Sequence, residues 1–180
     1  MVDNIGQFIK DNKKLYQVVQ QSTEQRNRLL DNEDFTISRN PKKTYLPPER
    51  LPQVPGFDFK PLDDAFARLT SNAWKYEDAL FNFKKGSLSA EKKSEINALL
   101  KGVDQAFINI EGLPRRDWFK NMMYAPGYYT GYGVKTLPGI REGLEESQWD
   151  EVRKYIKEVS KALDRASVNI NSASRILDEN

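Results

Sequence analysis

The chain has 180 residues, 38% of them hydrophobic and 30% charged, and a net charge of +2. This length predicts one domain with a substantial core, and the charge content favours solvated amphipathic helices over a buried parallel sheet. The absence of Cys and His excludes disulfides, thiolate chemistry, Ser-His-Asp catalysis and histidine-bound metals on this chain. The near-neutral charge and the lack of a long apolar run argue against a nucleic-acid partner and direct membrane contact.

The first half of the chain predicts two helices and a proline-rich segment between them. Residues 3–30 carry an interrupted apolar stripe, with Asp3 or Asn4 as a candidate cap. Residues 31–60 contain five prolines, which exclude a continuous helix or a central strand. Their scattered apolar side chains favour an extended segment pinned to the helices over a flexible insertion. Residues 61–85 predict a helix with a heptad-like seam of Leu62, Phe66, Leu69, Ala73, Tyr76, Leu80 and Phe83.

The second half predicts further helices. Residues 89–110 fit a helix capped by Ser87 or Ser89 and carry Ile110 on the inward face. The short connection through Gly86 makes this helix antiparallel to the preceding one. Residues 138–177 predict a short helix and then a long C-terminal helix, with a capping-box-like sequence at residues 147–150. The predicted fold is all-α, a single domain over 1–180 with about four main helices.

Residues 112–137 form a long aromatic loop in this prediction, neither helical nor strand-like. Such a long connection is uncommon in a compact domain, and disordered linkers are poor in aromatics. We therefore expect an ordered loop whose aromatic rings fill the core or an interface, or whose phenols bind an anionic ligand or a neighbouring domain. Its aromatic residues are Trp118, Phe119, Tyr124, Tyr128, Tyr129 and Tyr132.

Established catalytic and metal-binding motifs are missing from the sequence. There is no P-loop, dinucleotide glycine fingerprint, HExxH or EF-hand spacing. Carboxylates occur as neighbours, as in Glu145-Glu146, and neighbours point in different directions on a helix. They are typical of first-turn or surface charges. We expect no catalytic residue, metal ligand or cofactor in this chain.

Three short motifs stand at fixed separations in the second half of the chain. Their residues are Leu113, Pro114, Tyr124, Ala125, Pro126, Pro138 and Gly139. With these motifs the chain resembles the transferrin-receptor-like dimerisation domain, which is the C-terminal helical domain of the glutamate carboxypeptidase II and transferrin receptor family. The resemblance covers essentially the whole chain, and its specificity lies in the combination of motifs.

The resemblance implies a domain that works beside others in the same polypeptide. In the family it follows a zinc-peptidase domain and a protease-associated domain, makes homodimer contacts, and lends the loop after Tyr-Ala-Pro to the substrate pocket. There a Lys-Tyr pair binds the carboxylate of a C-terminal glutamate. Tyr132 matches that Tyr, Gly131 takes the Lys position, and Thr130 takes the preceding Asn position. Gly131 supplies no cation, so glutamate specificity does not carry over, and Lys135 is merely close in sequence.

We therefore interpret the chain as an isolated dimerisation domain of a glutamate carboxypeptidase-like zinc metallopeptidase, starting at an added Met1. Zinc belongs to the absent peptidase domain, and the family location implies the extracellular or lumenal side of a membrane-anchored parent. In the isolated domain the loop is expected to be mobile around residues 127–133. A second apolar surface should face the missing partners, with candidates Trp74, Phe81, Trp118, Tyr128, Tyr129 and Tyr155.

Two other functions remain open from the sequence. One is a non-enzymatic receptor or adaptor domain in which the same loop binds a protein ligand. The other, which is the least favoured, is an enzyme in its own right. An assay with N-acylated dipeptides and added zinc would reveal such activity, and we expect no turnover from this chain.

Overall fold

The computed structural model describes residues 1–34, 48–83 and 88–179. Within these ranges, no helix combines the length and apolar character needed to cross a membrane. The fold is a helical bundle, which confirms the predicted class. Its elements are α1 (Val2–Asp31), α2 (Lys60–Asn82), α3 (Ala90–Gln105), β1 (Tyr124–Pro126), β2 (Val134–Thr136), α4 (Pro138–Glu145) and α5 (Trp149–Asp178).

Helix α5 is the centre of the bundle. Helix α2 runs beside it in the same direction, since Arg68 pairs with Asp164 (2.9 Å) and Asn72 donates to Ser167 Oγ (2.9 Å). The apolar face of α5 is buried along its whole length, as the regular spacing of its apolar residues predicts. That face consists of Val152, Ile156, Val159, Leu163, Ala166, Ile170, Ala173 and Leu177.

Helix α3 covers another side of α5 and runs in the opposite direction. Ile96, near its start, shares an apolar cluster with Leu177 near the end of α5. The Arg165 guanidinium donates to the carbonyl oxygen of Ala106, just after α3, at 2.9 Å. Because α2 is parallel to α5 and α3 is antiparallel to it, α2 and α3 run in opposite directions, as their short connection predicts.

Helix α1 packs against the bundle mainly through its N-terminal half. Ile5 and Ile9 belong to the main apolar core. The Asn12 amide is buried and donates to the carbonyl oxygen of Thr136 at 3.3 Å. This contact ties α1 directly to the end of β2, next to α4.

The described part of the proline-rich segment, residues 48–59, lies against α1. The rings of Phe57 and Phe59 pack on Tyr16, with centroid separations of 5.2 and 5.7 Å. Further along α1, the Asn27 amide bonds both the N–H and the carbonyl of Leu51 (3.0 and 2.9 Å). This part is therefore pinned by apolar contacts as predicted, whereas residues 35–47 lie outside the described residues.

Some inward positions were predicted incorrectly. Leu80 is exposed and Ala79 is buried instead, because the end of α2 turns its contacting face toward the cluster of Ile96 and Leu177. Ile110 is also exposed. Helix α3 ends at Gln105, because the following chain leaves the helix to pair with residues 120–122. Gly86, the predicted end of α2, lies outside the described residues.

The predicted helix caps hold in one case and fail in two. Ser89 Oγ accepts the N–H of Lys92 (3.3 Å) and caps α3. Asp3 and Asn4 lie inside α1, which begins after Met1. Ser147 has a φ of +56° and lies before the cap position of α5, which is Gln148. A short distorted turn between α4 and α5 thus replaces the expected capping box.

Candidate functional site

The aromatic loop contains a small antiparallel sheet. Tyr124 faces Thr136, Ala125 faces Lys135 and Pro126 faces Val134, so the prediction that this region is not strand-like was wrong for these residues. Pro126 fits in β1 because a two-stranded sheet consists entirely of edge strands, where proline is tolerated. The hairpin leaves residues 127–133 as its connecting segment, which we call the tip loop.

The tip loop is a compact turn closed by backbone hydrogen bonds. Gly127 N–H donates to Gly133 O (2.7 Å), and Gly131 N–H donates to Gly127 O (3.0 Å). Gly131 has a φ of +63°, a conformation that glycine adopts without steric cost. Next to it, the Tyr132 side chain is fully exposed. The tip loop therefore presents a phenol on its outer side, supported by an ordered base.

A buried ion pair ties the base of the tip loop to the core. Glu142 accepts the N–H of Tyr128 through Oε1 (2.8 Å) and a guanidinium N–H of Arg116 through Oε2 (2.6 Å). Side-chain exposure is 3% for Arg116 and 6% for Glu142. The guanidinium also lies 5.9 Å from the ring centroids of Phe119 and Tyr128. The buried charges are thus paired and hydrogen-bonded, as burial requires.

Sequence reasoning missed this ion pair. Arg116 follows another arginine and Glu142 follows Arg141, so nothing local in the sequence marks either charge as buried. Their separation of 26 residues carries no periodic signal. The available hint was that Glu142 lies four residues after Pro138 and three after Gly139, on the side of α4 that faces inward when these two residues are buried.

The Pro138-Gly139 motif has a packing role. A Cβ on Gly139 would lie 2.2 Å from the Tyr155 ring, so only glycine lets α4 approach α5 this closely. Tyr155 is 2% exposed, and its hydroxyl donates to Gly112 O at 2.9 Å. The prediction that Tyr155 is an interface residue was wrong, because its ring packs against Gly139 and is buried in the core. Burial raises the pKa of its phenol, and a hydrogen bond from Asn109 opposes the shift.

The Leu-Pro motif opens a tight turn that orients Arg116. Leu113 is buried, and its N–H donates to Phe119 O (2.8 Å). Gly112 has a φ of +79°, and a Cβ there would lie 2.2 Å from Asp117 O. The turn directs Arg116 inward toward Glu142 and leaves Trp118, two residues further on, exposed.

A cleft of about 190 Å³ lies beside the tip loop. Thr130 and Lys135 line it, and Lys135 Nζ contacts both carboxylate oxygens of Glu145 at 2.9 Å. Arg115, on its rim, pairs with Glu151 at 2.8 Å. Both cations that line the cleft are thus paired with carboxylates.

The exposed aromatic side chains form two separate patches. Arg115 pairs with Glu151 near the start of α5, so the neighbouring tip loop lies toward that end. Helix α2 runs parallel to α5 and carries its exposed aromatics on the middle and last turns, toward the other end. The α5 helix is about 45 Å long at 1.5 Å per residue. We name the loop patch (Trp118, Tyr128, Tyr129 and Tyr132) and the helix patch (Trp74, Leu80 and Phe81) by these exposed residues.

Across residues 1–34, 48–83 and 88–179, acidic side chains form no group of three or more that could hold a metal ion. At the candidate site, Glu142 pairs with Arg116, and Glu145 pairs with Lys135 and Arg141.

The chain consists of helices packed around the central helix α5, with a hairpin held by the Leu-Pro, Tyr-Ala-Pro and Pro-Gly motifs. This arrangement defines a helical interaction domain. The model of the transferrin receptor-like dimerisation domain matches residues 57–171. The chain belongs to this family, as the motifs indicated.

Named relatives place the family among peptidase-like proteins. An inactive zinc metalloprotease from Schizosaccharomyces pombe is 26% identical over 137 residues, covering 69% of this chain and 17% of the relative. A probable glutamate carboxypeptidase from Arthroderma benhamiae is 32% identical over 71 residues (39% and 10%). One from Arabidopsis thaliana is 30% identical over 92 residues (47% and 14%). The chain thus spans under a fifth of the length of these relatives.

Proposed function

We propose that this chain is the dimerisation domain of a glutamate carboxypeptidase-like zinc metallopeptidase, and that its tip loop completes the substrate pocket of a peptidase domain in the same polypeptide. The observation that carries the proposal is Tyr132, fully exposed on a compact turn whose base is bonded to the core. Zinc and the catalytic groups belong to the peptidase domain of this longer protein, the parent. The chain contributes binding contacts and no catalysis of its own.

The separation of the two patches supports two different partners. Large exposed aromatic residues in contiguous groups usually mark interfaces, and Phe81 and Trp118 are 88% and 70% exposed. The patches lie toward opposite ends of the 30-residue α5. We assign the loop patch to the peptidase domain and the helix patch to a second copy of the parent.

The substrate of the parent should differ from a C-terminal glutamate. Gly131 offers no cation, and Lys135 is held by Glu145. What the tip loop offers instead is the Tyr132 phenol, with the Thr130 hydroxyl beside it in the same turn. This set fits a smaller or uncharged C-terminal side chain, with Tyr132 bonding the terminal carboxylate.

Substitution of Tyr132 in the parent tests the proposal. We expect Tyr132→Phe to raise KM for peptides about tenfold with little change in kcat, because a hydrogen bond to a charged group is lost. Tyr124→Phe is the matched control, since Tyr124 is an exposed tyrosine on β1 outside the tip loop. Equal effects of the two substitutions, or none of either, would contradict a role of the tip loop in the pocket.

The alternative is a non-enzymatic receptor or adaptor domain whose loop patch binds a protein ligand. Two observations favour it: one relative is named an inactive zinc metalloprotease, and Gly131 lacks the cation that recognises glutamate in the glutamate carboxypeptidases. The parent sequence before this domain distinguishes the two functions. His, Asp and Glu at zinc-ligand positions favour a peptidase, and their loss favours the receptor.

A further inference from the structure

We propose that Arg116 and Glu142 are positioning residues that fix the direction of the tip loop through the backbone N–H of Tyr128. The importance of that direction for substrate rests on the proposed function, but the positioning itself is a property of this chain. Neither residue belongs to the motifs that identify the family here.

The contacts of Glu142 join three segments that are distant in sequence. The residue lies on α4, its Oε2 binds Arg116 in the turn of residues 112–119, and its Oε1 binds Tyr128 N–H in the tip loop. Tyr128 directly follows Gly127, whose N–H bonds Gly133 at the other end of the loop (2.7 Å). Two bonds at the base therefore determine how the loop leaves the hairpin, and Tyr132 lies four residues beyond Tyr128.

Helix α4 is a rigid support for the carboxylate. Gly139 and Gly143 bring it so close to α5 that added Cβ atoms would lie 2.2 Å from Tyr155 and 2.8 Å from Val152. A carboxylate on a tightly packed helix holds its partner more accurately than one on a loop. The guanidinium in turn fixes the rotation of the carboxylate and stacks near the Tyr128 ring.

Stability alone does not account for a buried ion pair in this position. The desolvation cost of two buried charges largely offsets their attraction, and apolar residues of similar volume often replace such pairs without loss. An apolar pair could fill the same space between α4 and the turn. It could not accept the N–H of Tyr128, so positioning the tip loop is the feature that requires a polar side chain at residue 142.

Two double variants of the 180-residue chain separate positioning from stability. Arg116→Met with Glu142→Gln removes both charges but keeps a carbonyl acceptor for Tyr128 N–H. Arg116→Met with Glu142→Leu removes the charges and the acceptor. Amide hydrogen exchange, measured residue by residue by NMR alongside thermal unfolding, should show Tyr128 exchanging about tenfold faster in the Leu variant than in the Gln variant. Amides of α5 should exchange alike in both.

Glu146→Gln is the matched control, because Glu146 is an exposed carboxylate just after α4. It should leave the exchange of Tyr128 unchanged. Equal Tyr128 exchange in the two double variants would overturn the proposal. If the Leu variant does not fold, Glu142→Asp replaces it: the shorter side chain withdraws the acceptor, and unchanged Tyr128 exchange would equally overturn the proposal.

Measuring KM of the same variants in the parent distinguishes this inference from the proposed function. Faster Tyr128 exchange in the Leu variant together with a raised KM in the parent supports both. Faster exchange with an unchanged KM confirms the positioning and contradicts the role of the tip loop in the pocket. Unchanged exchange rejects the positioning, whatever the effect of Tyr132→Phe on KM.

Discussion

Gly131 combines a left-handed backbone with open space. Its φ is +63°, and an added Cβ would have no atom of the described residues within 4 Å. A side chain there is therefore disfavoured by the backbone, at about 1–2 kcal/mol, and not by crowding. This position accepts a functional side chain at a modest cost in stability.

Replacing Gly131 tests whether a cation at this position controls the preference for C-terminal glutamate. We expect Gly131→Lys to lower the free energy of unfolding by about 1 kcal/mol and to increase the preference of the parent for C-terminal glutamate over alanine. Denaturant unfolding and competition between two peptides measure these effects. Gly131→Ala carries the same backbone cost without the charge. An equal change in substrate preference in the Gly131→Ala and Gly131→Lys variants would therefore rule out a charge effect.

Tyr155 couples folding to alkaline pH. Burial raises the pKa of its phenol above the usual 10.0, so the folded chain holds this proton at a pH where the unfolded chain has lost it. The stabilising contribution is complete below pH 10 and decreases as pH rises further through the folded-state pKa. We expect a steeper fall in unfolding free energy above pH 10 for the native chain than for Tyr155→Phe, measured by urea unfolding at several pH values.

The other tyrosines provide the comparison for this pH effect. Tyr132 is fully exposed, so folding does not remove its phenol from water. Tyr132→Phe should therefore retain the steep alkaline decrease. The same slope for Tyr155→Phe and the native chain would show that burial of Tyr155 does not control alkaline stability.

The packing of α4 against α5 depends on one glycine. An added Cβ at Gly139 would overlap the Tyr155 ring at 2.2 Å, and overpacking a core costs about 1–3 kcal/mol. We expect Gly139→Ala to lower the melting temperature clearly. Gly56→Ala is the control, since Gly56 is exposed and an added Cβ there would meet no described atom within 4 Å. A smaller effect at Gly139 than at Gly56 would contradict this close approach.

Elements with local signals were predictable, whereas those built from distant pairings were not. The helices follow from apolar periodicity within each segment. The roles of Tyr132 and Gly131 rest on the family resemblance and stay predictions. The β1–β2 pairing depends on two three-residue strands with no alternation to detect. Glu142 was missed because its partners, Arg116 and Tyr128, are 26 and 14 residues away. Tyr155 looked like a surface aromatic because the gap opposite Gly139 exists only in three dimensions.

Self-association is the test at the scale of the whole molecule. We expect sedimentation velocity of the chain at several concentrations to show a dimer, and the pair Trp74→Gln with Phe81→Gln to shift it toward monomer. Trp118→Gln is the matched control, because it removes an equally exposed aromatic from the loop patch. If the dimer persists in the double variant but is lost in Trp118→Gln, the loop patch binds the second copy and the helix patch binds the peptidase domain, which is the reverse of our assignment.

The parallel arrangement of α2 and α5 has a consequence for how the chain folds. Arg68 meets Asp164 and Asn72 meets Ser167 across 96 and 95 residues, so the central packing depends on contacts of large sequence separation. Contacts of this kind slow folding, because a long loop must close before they form. During synthesis α2 is made before α5, the helix that buries its apolar side. The centre of the bundle therefore forms only after α5 has been made.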